Sequence, residues 1–178
     1  MGGALIEARR AGTVDALKRI RTNLVGLGLP VGEAEDVVAD LDGRYSEPGR
    51  HYHGLAHIEE CLRLLDASET SVERKSELVV AIGFHDAIYD PRRSDNEARS
   101  ADLFRTRARS HVDAEAVEWI ASLILSTKEH SEDLEGDHAV LSDVDLAVLG
   151  LDPAGFQIFR TPWFRARFER SARSNLRR

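Results

Sequence analysis

His85 and Asp86 are the first candidates for chemistry, because these adjacent residues stand in the most apolar segment of the sequence, Ser76–Tyr89. Burying an imidazole or a carboxylate is costly unless the group is paired or binds a metal ion. Neighbouring side chains on a helix point about 100° apart, so both approach one centre only if it lies between them. A metal ion meets this condition, and an aspartate can also bridge two ions. The competing interpretation is a buried ion pair.

Two more side chains of ligand-forming types occur in apolar segments elsewhere. His57 lies near the start of the segment Leu55–Leu65, and Asp145 lies within the apolar run Val140–Val148. Two imidazoles and two carboxylates make a mixed nitrogen and oxygen site, which suits Mn, Fe, Co, Ni or Zn better than Ca. We therefore expect a divalent metal ion as cofactor, with Mg as a further candidate.

In their order along the chain, His57, then His85-Asp86, then Asp145 resemble the H…HD…D signature of the HD superfamily of metal-dependent phosphohydrolases. The neighbouring motifs are similar to those of one bacterial branch of predicted HD phosphohydrolases. These motifs are Arg50-His51-Tyr52-His53 with Leu55 and His57-Ile58, then Phe84–Asp90, Asp95–Glu97, and Asp143–Leu146 with Leu149-Gly150. The resemblance covers about residues 10 to 155 and returns near the C-terminus, and its specificity comes from the ordered set of motifs.

The resemblance implies a helical core that holds one or two divalent ions and hydrolyses a phosphate ester or a nucleotide. The ligands that it implies are His57, His85, Asp86 and Asp145. Asp143 competes with Asp145 for the last position, but the aspartate followed by Leu146 agrees better with the superfamily pattern.

A metal-bound water would be the nucleophile, because a divalent ion can lower the pKa of water from about 15.7 to about 7. Asp86, or Asp90 one helical turn later on the same face, would accept the proton or orient the water. Several HD phosphohydrolases have an acidic residue three positions after the HD aspartate, where this sequence has Tyr89. The general base therefore stays open.

Less specific sequence patterns suggest six further residues near the ion. Candidates for a second metal or for phosphate contact are His130, Lys128 and Arg50, and candidates for the pocket lining are His53, Asn96 and Glu97. The spacing of His53 and His57 is that of a zinc protease helix, but position 54 is Gly where that chemistry needs Glu. A different reaction class, a di-iron oxygenase on an HD-like scaffold, would use His53 and His130 as additional ligands.

Helical periodicity predicts the elements that must position these side chains, and no strong two-residue alternation appears. The predicted helices are Val14–Leu27, Gly32–Leu41, Leu55–Leu65, Ser76–Tyr89, Asn96–Ala108, Ala114–Thr127 and His138–Leu149, with a turn-rich segment at Arg44–Gly54. We therefore predict an all-α fold, an HD-type helical bundle with the metal site in its core.

The composition predicts one domain over residues 1–178, with the core at about 10–155 and a basic C-terminal helix at about 160–178. The last 19 residues carry a charge of +6, so residues 1–159 carry −13. Nucleic-acid binding is not expected of so acidic a domain, whereas the basic end leaves a homo-oligomer open. A single cysteine, Cys61, and the absence of any apolar run long enough to span a membrane predict a cytoplasmic protein.

This sequence departs from the pattern of the bacterial branch after Leu149-Gly150. Members of that branch carry further helical sequence at this point. This chain passes from Asp152–Gln157 almost directly into Ile158–Pro162. A helix or two of the pattern is missing, and this segment could close one side of the pocket. The alternatives are a different packing of the C-terminal segment, weaker catalysis, or a non-catalytic metal- or nucleotide-binding module.

Overall fold

Seven α-helices form the regular structure in the computed structural model, which describes residues 15–50, 53–129, 131 and 133–147. No β-strand occurs among these residues, and the predicted all-α class is confirmed. The helices are α1 (15–26), α2 (Val31–Tyr45), α3 (Leu55–Ala67), α4 (Lys75–Phe84), α5 (Asn96–Ala108), α6 (Ala114–Ser126) and α7 (Gly136–Ala147). The predicted basic helix at about 160–178 lies outside the described residues.

Helix α1 ends two residues before Gly28. Gly28 has a φ of 111°, and a Cβ there would lie 2.8 Å from the main-chain oxygen of His111. Leu29 donates its N–H to the carbonyl of Leu24, which closes the helix in the manner of a Schellman motif. Glycine is therefore required here both by its backbone conformation and by the close approach of a second segment.

Helix α4 is the centre of the bundle and packs against α3, α5, α6 and α7. All its residues from Leu78 to Phe84 are buried, as expected for a helix that is apolar on every side. Phe84 makes an edge-to-face contact with Phe104 of α5, with ring centroids 5.2 Å apart. None of the described helices has both the length and the apolar character that crossing a membrane requires.

The predicted extent of this helix, Ser76–Tyr89, is wrong at its C-terminal end. Helix α4 ends at Phe84, His85 is its C-cap, residues 85–88 form a turn and a bend, and residues 89–90 have no regular structure. The N–H of Ala87 bonds to the carbonyl of Phe84 instead of continuing the helical pattern. The main chain of the next residues is held by side chains from other segments, and this tertiary bonding replaces a further helical turn.

The first turn of α7 caps the N-terminus of α4. The carboxylate of Asp137, which is only 2% exposed, accepts the main-chain N–H groups of Glu73 and Arg74, each at 2.9 Å. These N–H groups belong to the end of α4, whose own N-cap provides no side-chain acceptor. Asp137 therefore sets α7 alongside α4, so that Asp145, about two helical turns later, approaches the other end of α4.

Gly83 allows α1 to approach α4 closely. A Cβ at this position would lie 2.7 Å and 2.9 Å from Cδ1 and Cγ1 of the buried Ile20. The carbonyl of Gly83 also accepts a hydrogen bond from the hydroxyl of Tyr45 on α2, at 3.0 Å. This glycine precedes the end of α4 by one residue, so its packing helps to place His85.

Replacing Gly83 by Ala is expected to destabilise the protein, because overpacking a core costs about 1–3 kcal/mol and exceeds the gain of about 1 kcal/mol in helix propensity. The matched control is Gly43→Ala in α2, where a Cβ would meet nothing within 4 Å. That variant should be more stable than the wild type by up to about 1 kcal/mol. Urea denaturation would measure both, and a stabilised Gly83→Ala would contradict the close packing of α1 on α4.

Candidate metal centre

Three helices bring the four predicted ligands together at one point. His57 lies in the first turn of α3, His85 and Asp86 follow the end of α4, and Asp145 lies near the end of α7. Both imidazoles are almost fully buried, and both carboxylates are partly buried. These four side chains lie close together, and their role as metal ligands stays a prediction.

The distances between their donor atoms suit a coordinated cation. The Nε2 atoms of His57 and His85 lie 3.1 Å apart. Oδ1 of Asp145 lies 3.2 Å and 3.5 Å from these two nitrogens. Oδ2 of Asp86 lies 3.3 Å from the nitrogen of His85 and 3.7 Å from that of His57. Ligands about 2.0–2.2 Å from an ion are separated by about 2.8–3.6 Å at neighbouring corners of its polyhedron. Four of these five separations fall in that range, so the side chains could hold a divalent metal ion.

The main chain orients the imidazole of His85. Its Nδ1 lies 2.9 Å from the carbonyl oxygen of Ile82, which can only accept, so Nδ1 carries the hydrogen. Nε2 is thereby directed to the two carboxylates. A hydrogen bond from the second ring nitrogen is the usual means of fixing the tautomer of a metal-binding histidine.

Charge stabilises the cluster without a metal. Burial lowers the pKa of His85, but the carboxylates of Asp86 and Asp145 outweigh this effect and hold that pKa well above its usual range. Burial raises the pKa of both carboxyls, but the positive charge of His85 and the hydrogen bonds from the neighbouring imidazoles together outweigh burial and keep each pKa well below its usual range. The two carboxylates therefore require a positive charge between them, which an imidazolium or a cation can supply.

His53 enters the same cluster from the loop before α3. Its Nδ1 lies 2.8 Å from Oδ2 of Asp86, and its ring packs on that of Tyr89 with centroids 4.2 Å apart. His53, His57 and Asp86 form a second group of three residues whose donor atoms could hold a metal ion. In the sequence, the feature that pointed to His53 was its four-residue spacing from His57.

Arg50 holds the turn that carries Asp86. Its side chain is only 4% exposed and donates to the main-chain oxygens of Asp86 and Ala87, at 2.7 Å and 3.1 Å. The guanidinium also lies over the rings of Tyr45 and Tyr89. Arg50 thus positions the turn that carries Asp86, a role that sequence reasoning missed, and its predicted contact with phosphate stays a prediction.

The loop after Asp86 is held in a similar way by α5. The amide of Asn96 accepts from the main-chain N–H of Asp90 at 3.0 Å and donates to its carbonyl at 2.9 Å. Ser100 accepts the N–H of Ile88 at 3.0 Å. Asn96 is buried and holds the loop, Glu97 is partly buried beside it, and their predicted place in a pocket lining stays a prediction.

The expectation that Asp90 shares a helix face with Asp86 is wrong, because residues 85–90 are not helical. The carboxylate of Asp90 instead accepts hydrogen bonds from the main chain and the guanidinium of Arg92. This pairing holds the pKa of Asp90 below its usual range. Asp90 is therefore placed less well than Asp86 to act on a metal-bound water.

The remaining candidates are placed as follows. Asp143 on α7 is fully buried, whereas the carboxylate of Asp145 faces the two imidazoles. Lys128 is exposed just after α6, and His130 lies outside the described residues. The roles predicted for Lys128 and His130 stay predictions.

Comparisons of the chain with models of known protein families, with curated proteins and with solved structures found no match. A functional assignment therefore depends on the chemistry of the site.

Replacing Arg50 by Ala should lower the free energy of unfolding by about 1–3 kcal/mol, because the carbonyls of Asp86 and Ala87 lose their donor. Arg50→Lys should restore only part of the loss, since one ammonium group lacks the planar fork of donors. The control is Arg92→Ala, whose side chain is 87% exposed, with an expected change within about 0.5 kcal/mol. Equal stability of Arg50→Ala and Arg92→Ala in urea denaturation would contradict the positioning role.

The metal-free protein should lose stability as the pH rises through the raised pKa of His85. A raised folded-state pKa contributes stability that is complete below the unfolded value of about 6.5 and disappears above the folded value. The lowered pKa values of Asp86 and Asp145 contribute stability that is complete above about pH 4 and decreases in acid. Urea denaturation in a chelating buffer from acid to alkaline pH would measure both decreases in the free energy of unfolding.

The matched variants for this measurement are His85→Gln and His111→Gln. His111 is a surface residue that pairs with Glu33, so its replacement should leave the alkaline decrease in place. His85→Gln should remove it. If the alkaline decrease were the same in both variants, His85 would not be its source.

Proposed function

We propose that this protein is a metal-dependent phosphohydrolase of the HD type that acts on a small phosphate ester or a nucleotide. The observation that supports it is the convergence of two imidazole nitrogens and two carboxylate oxygens at distances of 3.1–3.7 Å. The ligands would be His57, His85, Asp86 and Asp145, in agreement with the resemblance to the HD signature. Mn, Fe, Co, Ni, Zn and Mg are the candidate ions.

The charges of the donor set support a divalent ion. Asp86 and Asp145 remain ionised at neutral pH, because each carboxyl has a pKa well below its usual range. Two negative charges balance one divalent cation, which removes the cost of burying either partner alone. With the ion bound, the four-residue site would carry no net charge before a phosphate enters.

A bound divalent ion would lower the pKa of its water to about 7 and would polarise a phosphoryl oxygen. The residues of the chain hold the geometry around this step. His57 and His85 present their Nε2 atoms from buried positions, and Asp86, whose Oδ2 lies 3.3 Å from Nε2 of His85, would orient the water or accept its proton. Asp90 is a weaker candidate for that role, because its carboxylate is bonded to Arg92.

A second candidate function is an iron-dependent oxygenase on the same scaffold. The third imidazole at the cluster, that of His53, favours it, because such chemistry would need histidines beyond the HD signature. Iron in the purified protein together with an oxygen-dependent change in its absorption spectrum would support this function. Phosphatase activity with iron-free Mn²⁺ or Co²⁺ would exclude iron as a requirement.

The test of the first candidate is hydrolysis of a generic aryl phosphate, followed by a panel of nucleotides and phosphate esters, with Mn²⁺, Co²⁺ or Mg²⁺ added. We expect turnover that a chelator abolishes and that returning the metal restores. Asp86→Ala should abolish turnover. Asp145→Asn should lower metal affinity by more than about 100-fold, since outer-shell changes alone cost 10–100-fold.

The matched control is Asp133→Asn, an exposed aspartate in the turn before α7. It should bind metal and hydrolyse the substrate as the wild type does. Bound metal with no turnover on any substrate would support the non-catalytic binding module. No bound metal in the wild type, or unchanged metal affinity in Asp145→Asn, would overturn the site itself.

A further inference from the structure

Resting on the proposed metal site, we propose that His53 is an additional ligand of the same ion and binds it through Nδ1. The four-residue signature would then describe only part of the coordination sphere. Three imidazoles and two carboxylates would bind one ion and leave an octahedral site with one open position. This open position would lie beside the most exposed of the three imidazoles.

The two groups of candidate ligands have His57 in common. Nε2 of His57 lies close to the donors of His85, Asp145 and Asp86, and His57 also belongs to the group that contains His53. One imidazole nitrogen lone pair binds one ion. The two groups of three residues share His57, so one ion bound by this nitrogen would take ligands from both groups.

The second step is the position of the ring of His53. Its Nδ1 approaches Oδ2 of Asp86 to 2.8 Å, the separation expected of two neighbouring ligands at about 2.0–2.2 Å from an ion. The ring is held on its face by Tyr89, with an interplanar angle of 34°. The nitrogen is thereby directed at the cluster by aromatic packing as well as by Asp86.

The third step is the loop that carries His53. Arg50 donates to the main-chain oxygen of Asp86 at 2.7 Å and approaches that of His53 at 3.5 Å, so one guanidinium connects both segments. Gly54 is the N-cap of α3, so the loop leads directly into the helix that carries His57. The loop is thus positioned by groups outside the ligand set.

The exposure of the three imidazoles gives His53 a distinct role. The side chain of His53 is 30% exposed, compared with 3% for His57 and 1% for His85. Ligands on buried helices are fixed, whereas a ligand on a loop at the surface can exchange with water or a phosphate oxygen. His53 would therefore determine how many positions on the ion are available to substrate.

The deciding measurement is NMR of the Cd²⁺-loaded wild-type protein with isotopically labelled histidines, because a ring nitrogen bound to cadmium couples to the metal nucleus. We expect coupling on Nδ1 of His53 and on Nε2 of His57 and His85. Coupling confined to His57 and His85 would overturn the inference and leave His53 as a hydrogen-bond donor to Asp86. Absence of coupling on all three would overturn the metal site, and with it the proposed function.

A second measurement compares Zn²⁺ affinity, by competition with a chelator, in His53→Ala, His53→Asn and the control His111→Ala. Loss of a direct ligand should lower affinity by more than about 100-fold, above the 10–100-fold typical of an outer-shell partner. His53→Asn keeps a hydrogen-bond donor for Asp86 and should be as weak as His53→Ala. Wild-type affinity in His53→Asn would overturn the inference. Circular dichroism would establish that each variant folds.

Discussion

Two partly buried carboxylates that approach the same two imidazoles require a positive charge beside them, and this requirement organises the site. Asp86 and Asp145 approach the same pair of nitrogens, and the charge of His85 together with hydrogen bonds from the imidazoles lowers their pKa values against the effect of burial. A proton on His85 satisfies the requirement in the metal-free protein, and a divalent cation would satisfy it more completely. Proton and metal therefore compete for one position.

Much of the remaining structure serves to hold that arrangement. Asp137 joins the first turn of α7 to the start of α4, and this contact aligns the two helices that carry Asp145 and His85. Arg50 and Asn96 then hold the main chain after α4 from either side of the turn. The ligands are thus positioned by polar side chains that bond to main-chain groups, rather than by apolar packing alone.

The helices were largely predictable, because each buries an apolar face whose period is visible in the sequence. The bounds of α5 agree with the prediction, and those of α3 and α6 agree within two residues. The end of α4 was not predictable, because apolar residues continue in the sequence beyond Phe84. The helix nevertheless ends there, and side chains from distant segments bond to the main chain of the residues that follow. Helix propensity depends on the local sequence and does not include such long-range hydrogen bonds.

For the candidate site, the sequence by itself determined the types of ligand and the segments that supply them, because an ionisable residue in an apolar segment requires a partner. Only the tertiary structure decided that Asp145 faces the imidazoles, that His53 approaches Asp86, and that Arg50 holds the turn. These three facts depend on the relative placement of α3, α4 and α7. That placement is set by contacts between residues far apart in the chain, which no local pattern records.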